Sequence, residues 1–207
     1  MSYEKVLQGK KIAVLVESEY IPEEINYYKI GFPVLGAKVD FLAHLWGKES
    51  LTIVSDVTSR EQNLESMVID KEVAIARVED YDAVIMAANY CSVRLREIPP
   101  MGSLGKPEDT QFAPAVKFYA AAMENKKIVK GAMCHALWIL TPRPDLLKGR
   151  KVICHTVVLA DIHNAGATFV PALSELVVDN DLVTARSAAN LKEYFAAIVS
   201  TIIKLQA

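Results

Sequence analysis

Short, nearly continuous apolar runs recur along this chain, and they constrain its fold more than any other feature. The first run, Lys11 to Glu17, is typical of a strand that is buried on both faces in a parallel sheet. Pro22 and the two glutamates after it favour the start of a helix, and Gly36 favours its end. Lys38 to Ala43 then predicts a second strand. A strand, a helix and a strand in this order indicate a parallel crossover.

The rest of the pattern extends this architecture. Apolar residues from Phe112 to Met123 recur at helical spacing, as do those from Leu191 to Leu205, and Val177 to Val183 is typical of a hairpin. Residues 44–80 predict an edge ribbon. We therefore expect residues 1–207 to form one domain, a three-layer α/β sandwich with a mainly parallel sheet. The further predicted strands are Leu51 to Val54, Val73 to Ile75, Ala83 to Ala88, Lys127 to Met133 and Lys151 to His155.

Charge and composition narrow the classes of function. The net charge of −2 provides no basic field for phosphates, so we expect no nucleic-acid partner. No apolar run approaches the roughly 18 residues that span a bilayer, and the amino terminus lacks a signal-peptide pattern. We expect a cytoplasmic protein without a membrane partner. Three cysteines without a CxxC pair argue against a disulfide framework and a structural zinc site, so no metal or organic cofactor is expected.

Cys134 stands where a buried strand meets a predicted short helix, and it is our candidate nucleophile. A nucleophile on such a turn needs small residues two positions before and after it, and both positions, Ala132 and Ala136, are alanine. A helix amino terminus would lower the thiol pKa from about 8.5. The N–H of His135 could form half of an oxyanion hole. Because adjacent side chains on a turn point apart, contact between the His135 ring and the sulfur is not required.

The residues around this turn resemble the ThiJ/PfpI superfamily, part of the class I glutamine amidotransferase-like group. The resemblance is carried by Gly131 to His135, by Asn164 to Ala167, by Val177 to Arg186 and by the first β-α unit, Lys11 to Gly36. It covers nearly the whole chain apart from insertions in residues 44–70 and 95–110. It implies a flavodoxin-like fold. Members include cysteine peptidases, amidases, glyoxalase III-type enzymes, deglycases and stress chaperones.

The resemblance also implies partners for Cys134. Family members carry a glutamate just after the first strand that meets the cysteine, often protonated, and the position corresponds to Glu24, with Glu19 and Glu23 as less favoured candidates. His155 corresponds to a residue that lines the same pocket. From the sequence pattern alone, we expect His44 and His163 to be structural residues and not part of the site.

The oxyanion loop departs from the family pattern. Many relatives have Pro-Gly-Gly where this chain has Ala87, Ala88 and Asn89. Asn89 can still donate an N–H and tolerates a left-handed backbone better than most residues. Cys91 and Cys154 lie at strand ends on the same sheet edge, but ligand spacing for a metal or redox cluster is absent.

Two functions fit this pattern. The leading hypothesis is an enzyme in which Cys134 attacks an amide or peptide carbonyl or a small 2-oxoaldehyde, with His135 and Glu24 exchanging protons and the N–H groups of His135 and Asn89 holding an oxyanion. The alternative is a redox-responsive chaperone in which Cys134 is oxidised without turnover. An inert protein with an altered oxyanion loop is the third option. The resemblance implies a homodimer or higher homo-oligomer, and the long loop from Asn89 to Thr110 is expected to select a small-molecule or peptide substrate.

Overall fold

The computed structural model describes residues 5–57, 63–98 and 105–206. These residues alternate strands and helices through most of the chain, as the apolar runs predicted. The strands are β1 (Lys11–Leu15), β2 (Lys38–Leu42), β3 (Leu51–Val54), β4 (Ser66–Ile69), β5 (Ala83–Met86), β6 (Val129–Met133), β7 (Lys151–Val152), β8 (Thr168–Phe169), β9 (Leu176–Asp179) and β10 (Leu182–Ala185). The α-helices are α1 (Pro22–Val34), α2 (Cys91–Arg94), α3 (Pro114–Glu124), α4 (Leu159–Asn164) and α5 (Leu191–Gln206).

Six of these strands form the central sheet, in the order β2-β1-β5-β6-β10-β9. All neighbouring strands in it are parallel except β10 and β9, which form the predicted hairpin. Every residue of β5 and β6 is buried, because helices cover both faces of a mainly parallel sheet. The predicted α/β fold class with a mainly parallel sheet is therefore confirmed.

Helices α1 and α5 pack against each other on one face of the sheet. The ring of Phe195 on α5 lies 5.1 Å from the ring of Tyr27 and 4.6 Å from that of Phe32, both on α1. Helix α3 packs on β5 and β6, and its Tyr119 hydroxyl donates a hydrogen bond of 2.9 Å to the Gly131 carbonyl. A larger residue would not fit at Gly131, because the Tyr194 hydroxyl of α5 occupies the space that a Cβ would need. The glycine thus lets α5 approach the strand that carries Cys134.

The predicted edge ribbon is present, but one of its strands was predicted wrongly. β3 pairs antiparallel with β4, so its partner begins at Ser66 and not at Val73. Val73–Ile75 forms a 3-10 turn instead, because the Glu72 carboxylate caps the N–H of Ala74.

Two further boundaries differ from the sequence prediction. The strand predicted for Lys151 to His155 is only the two-residue β7, which pairs with β8 outside the central sheet, because the Ile153 N–H bonds the Thr184 hydroxyl instead. Phe112 precedes α3 in a 3-10 turn and is exposed, since the helix begins at Pro114. Within the described ranges, no helix is long and apolar enough to cross a membrane.

Candidate active site

The candidate site lies at the carboxyl edge of the sheet, where β5 and β6 end side by side. The two strands are paired in register from Ala83 with Val129 to Met86 with Ala132. Asn89 follows β5 after two further residues, and Cys134 follows β6 directly. Parallel pairing therefore brings the ends of these two strands together, at the edge where open α/β folds bind ligands.

The backbone of Cys134 adopts the strained conformation expected of a nucleophile elbow. Its φ is +60°, a left-handed value that costs an L-residue about 1–2 kcal/mol. Two hydrogen bonds hold it there: its N–H donates to the Ala185 carbonyl at 2.9 Å, and its carbonyl accepts from the His155 N–H at 3.1 Å. The predicted helix after Cys134 is a short 3-10 helix, Ala136–Leu140.

The thiol of Cys134 is buried among groups that act on it in opposite directions. Its Sγ lies 3.4 Å from the Nδ1 of His135, although adjacent side chains were expected to diverge. Burial, and then the charge of Glu24, raise its pKa to about 11, while the backbone N–H groups of His135 and Asn89 favour the thiolate. The predicted lowering of the thiol pKa is therefore wrong. A one-turn 3-10 helix supplies little dipole, and burial outweighs it.

Glu24 is the acidic partner that α1 brings to the cysteine. It is completely buried, accepts a hydrogen bond of 2.8 Å from the Tyr28 hydroxyl, and accepts another of 2.9 Å from the Ala88 N–H. Burial raises its pKa to about 7. Glu23 is exposed, and Glu19 forms an ion pair with Arg94, so Glu24 alone among the three candidates has the burial that the predicted role requires.

His135 is buried in a stack of aromatic rings. Its ring lies nearly parallel to those of Tyr90 and Trp138, at 5.4 Å and 5.2 Å, and 4.8 Å from the ring of His155. Burial, and then His155, lower the pKa of His135 to about 4. At neutral pH its imidazole is therefore neutral and can accept a proton. Within the described residues, no carboxylate forms an ion pair with it.

Asn89 occupies the left-handed conformation predicted for it, with a φ of +62°. Its side-chain Nδ2 donates a hydrogen bond of 2.7 Å to an oxygen of Asp56, which follows the β3 strand. This bond orients the loop whose N–H acts on the Cys134 sulfur. Sequence reasoning missed Asp56, because no motif links it to Asn89, which lies far along the chain. It also missed Tyr90 and Trp138. The only signals for them were their positions, directly after Asn89 and three residues after His135.

Among the described residues, the remaining cysteines and the histidines His44 and His163 form no hydrogen bond or ion pair with Cys134, Glu24 or His135. Cys91 is fully buried and its Sγ donates to the Glu17 carbonyl at 3.1 Å, while Cys154 is a buried free thiol. His44 pairs with Glu72, and His163 is exposed on α4. In the part of the chain that the structure describes, no group of three potential ligands could hold a metal ion.

Comparisons with known proteins bear on the family and the fold. The DJ-1/PfpI family model matches residues 100–201. An uncharacterized protein of Staphylococcus epidermidis is 24% identical over 194 residues, covering 92% of this chain and 96% of that protein.

Solved structures share the fold. A two-domain protein of Anabaena variabilis with DJ-1/ThiJ/PfpI-like and ferritin-like domains has a TM-score of 0.73 and 26% identity, and the match covers 92% of this chain and 47% of that protein. This chain thus spans about half of its length. Drosophila melanogaster DJ-1beta has a TM-score of 0.70 and 14% identity, and the match covers 95% of each chain.

Fold and site together define an α/β protein with a buried cysteine in a left-handed conformation on a strand-to-helix turn. The resemblance predicted from the sequence is confirmed to this extent: residues 100–201 match the DJ-1/PfpI family model, and the chain shares its fold with solved structures of the ThiJ/PfpI superfamily.

Proposed function

We propose that this protein is an enzyme in which the Cys134 thiol adds to a small electrophilic carbonyl, with 2-oxoaldehydes such as methylglyoxal as the favoured substrates. One observation carries the proposal. The Cys134 sulfur lies 3.4 Å from Nδ1 of a neutral imidazole, and the N–H groups of His135 and Asn89 also act on it. Nucleophile, base and oxyanion donors therefore meet at one atom.

The first step needs only these groups. The S–H proton passes to Nδ1 of His135 as the sulfur electron pair forms a bond to the aldehyde carbon. The C=O π electrons move to oxygen, where the two N–H groups stabilise the charge. His135 returns the proton, which leaves a hemithioacetal. The former aldehyde carbon then loses its proton and the ketone oxygen gains one, which gives an enediol. Protonation of the neighbouring carbon and loss of the proton from the first hydroxyl give a thioester, and water releases a 2-hydroxy acid and the free thiol.

Glu24 keeps its proton up to about neutral pH because it is fully buried. A neutral Glu24 does not repel the developing negative charge at the sulfur, whereas an ionised Glu24 does. We therefore propose that Glu24 holds the site in a state in which the thiol can react, and that it exchanges protons with the bound intermediate.

Amide or peptide hydrolysis is the less favoured form of this chemistry. Expelling an amine requires His135 to act as an acid, yet the His135 pKa is lowered to about 4 and no described carboxylate pairs with it. A second copy of the chain in a homo-oligomer could supply that acid. Aldehyde addition has no leaving amine and does not need it.

The redox-responsive alternative has one observation in its favour. A protonated Glu24 and the N–H groups of His135 and Asn89 could hydrogen-bond the oxygens of a sulfinate at Cys134. The raised thiol pKa disfavours oxidation of the resting enzyme, because peroxide reacts with the thiolate, whereas in the proposed addition His135 removes the proton as the sulfur attacks.

The test is steady-state turnover of methylglyoxal to lactate by the unaltered chain and by Cys134→Ser, with Cys154→Ser as the matched control. We expect turnover that Cys134→Ser abolishes and that Cys154→Ser retains. Absence of turnover, with stoichiometric conversion of Cys134 to sulfinate by peroxide, would favour the redox alternative. Turnover that survives Cys134→Ser would refute the proposal.

A further inference from the structure

Arg96 lies close to the candidate site, and it forms no ion pair with a carboxylate of residues 5–57, 63–98 or 105–206. Its Nε is buried and has no hydrogen-bond partner in the described chain, and Nη1 donates only to the Thr141 hydroxyl, at 2.6 Å. Four other arginines each form an ion pair with at least one carboxylate: Arg94, Arg143, Arg150 and Arg186.

An unpaired, partly buried guanidinium is unfavourable for the folded chain. Moving a cation from water into the protein interior costs on the order of several kcal/mol unless a paired anion offsets this cost. Burial accordingly lowers the pKa of Arg96, and the charge of Asp161 only partly opposes this. Asp161 does not form an ion pair with Arg96, and its Oδ2 accepts a hydrogen bond of 2.6 Å from Trp138 Nε1. A carboxylate on a ligand would therefore supply an ion pair that the described residues do not give Arg96.

Arg96 lines an open pocket of about 430 Å³ that adjoins the candidate catalytic residues. Tyr90 and Trp138 line the same pocket, and their rings flank that of His135. His135 in turn contacts the Cys134 sulfur. A molecule that enters the pocket thus meets the two aromatic rings that flank His135, the Arg96 guanidinium and the Asp161 carboxylate, which also lines the pocket.

We propose that Arg96 binds a carboxylate of the substrate, at a position several bonds from the carbon that Cys134 attacks. This inference rests on the proposed function for its reaction and deepens it by naming a substrate class: an aldehyde or acyl compound with a remote carboxylate. A guanidinium offers two parallel N–H donors that match a carboxylate, which is why arginine suits this role.

The test uses reactive probes instead of turnover. Iodoacetyl derivatives of glycine, β-alanine and 4-aminobutyrate carry a carboxylate at increasing distance from the reactive carbon, and their primary amides are neutral controls of the same size. Alkylation of Cys134 in the unaltered chain is followed by site-resolved mass spectrometry. The measured quantity is the rate ratio of each acid to its amide, divided by the same ratio for a free thiol.

We expect this ratio to exceed one by about tenfold at one linker length, as charge-assisted hydrogen bonds allow. Arg96→Gln should return it to about one. The matched control is Arg94→Gln, which removes a nearby cation that is already paired with Glu19 and should leave the ratio unchanged. A ratio near one at every length, or an equal loss in both variants, would overturn the proposal.

These outcomes separate the inference from the proposed function. The probes react once and need no catalysis, so a carboxylate preference that depends on Arg96 establishes the site even if methylglyoxal is not turned over. Conversely, turnover of methylglyoxal with no such preference would refute only the carboxylate site.

Discussion

Glu24 should make the stability of this protein fall as the pH rises through the weakly acidic range. Its pKa in the folded chain is about 7, compared with an ordinary value of 4.5. The folded state therefore binds this proton more tightly than the unfolded state. The stabilising contribution is complete below pH 4.5, decreases between pH 4.5 and 7, and is lost above pH 7.

The size of the effect follows from the same two values. Each unit of difference between folded and unfolded pKa corresponds to about 1.4 kcal/mol, so the raised pKa of Glu24 corresponds to about 3 kcal/mol. The full burial of this carboxyl means that solvent screening reduces the effect little. Glu24→Gln removes the ionisation and keeps a side chain that can hydrogen-bond Ala88 and Tyr28.

The assay is urea unfolding of the unaltered chain and Glu24→Gln from pH 4 to pH 8. The difference in free energy of unfolding, variant minus unaltered chain, should rise by about 3 kcal/mol across this range, since other groups largely cancel. Glu23→Gln is the matched control, because Glu23 is exposed on the same helical turn and should give a flat difference. A flat or falling difference for Glu24→Gln would refute the reasoning.

Three further predictions concern the residues around the thiol. Asp56→Ala should lower the free energy of unfolding in urea by about 1–3 kcal/mol, because Asn89 loses its charge-assisted hydrogen bond. The loss should be much smaller in an Asn89→Gly background, since glycine adopts a positive φ without support, and equal losses would contradict this role. Gly131→Ala should cost about 1–3 kcal/mol and be partly rescued by Tyr194→Phe, because the added Cβ overlaps the hydroxyl; an unchanged unfolding midpoint would exclude the overlap. The His135 ring should titrate by NMR near pH 4, and a midpoint near 6.5 would show that it is not buried as described.

The sequence predicted the parts of the site that local pattern determines. The alanines on either side of Cys134 indicated a tight turn, and the apolar runs indicated buried parallel strands. The spacing from Gly36 identified Glu24, but only with the help of the family resemblance. Residues such as Asp56 could not be predicted, because tertiary pairing between the ribbon and the loop after β5 brings Asp56 to Asn89.

The largest error concerned the pKa of the thiol. A helix amino terminus is visible in sequence, but the burial of Cys134 and the charge of Glu24 depend on how α1 packs against the sheet. The edge ribbon shows the same limit of sequence prediction. The apolar residues at Val73–Ile75 are typical of a strand, but the Glu72 side chain caps a 3-10 turn there. Such tertiary contacts determine the secondary structure of a short segment more than its own β-propensity does.

The bond between Asp56 and Asn89 ties the edge ribbon to the chemistry of the site. A second link reinforces it, because the Glu19 N–H donates to the Val54 carbonyl at 2.7 Å. The ribbon is therefore part of the structure that positions the oxyanion loop. Exchanging it with the equivalent segment of a relative would remove the anchor of the oxyanion loop, so a chimera with an intact cysteine, glutamate and histidine should still lose the alignment on which their reaction depends.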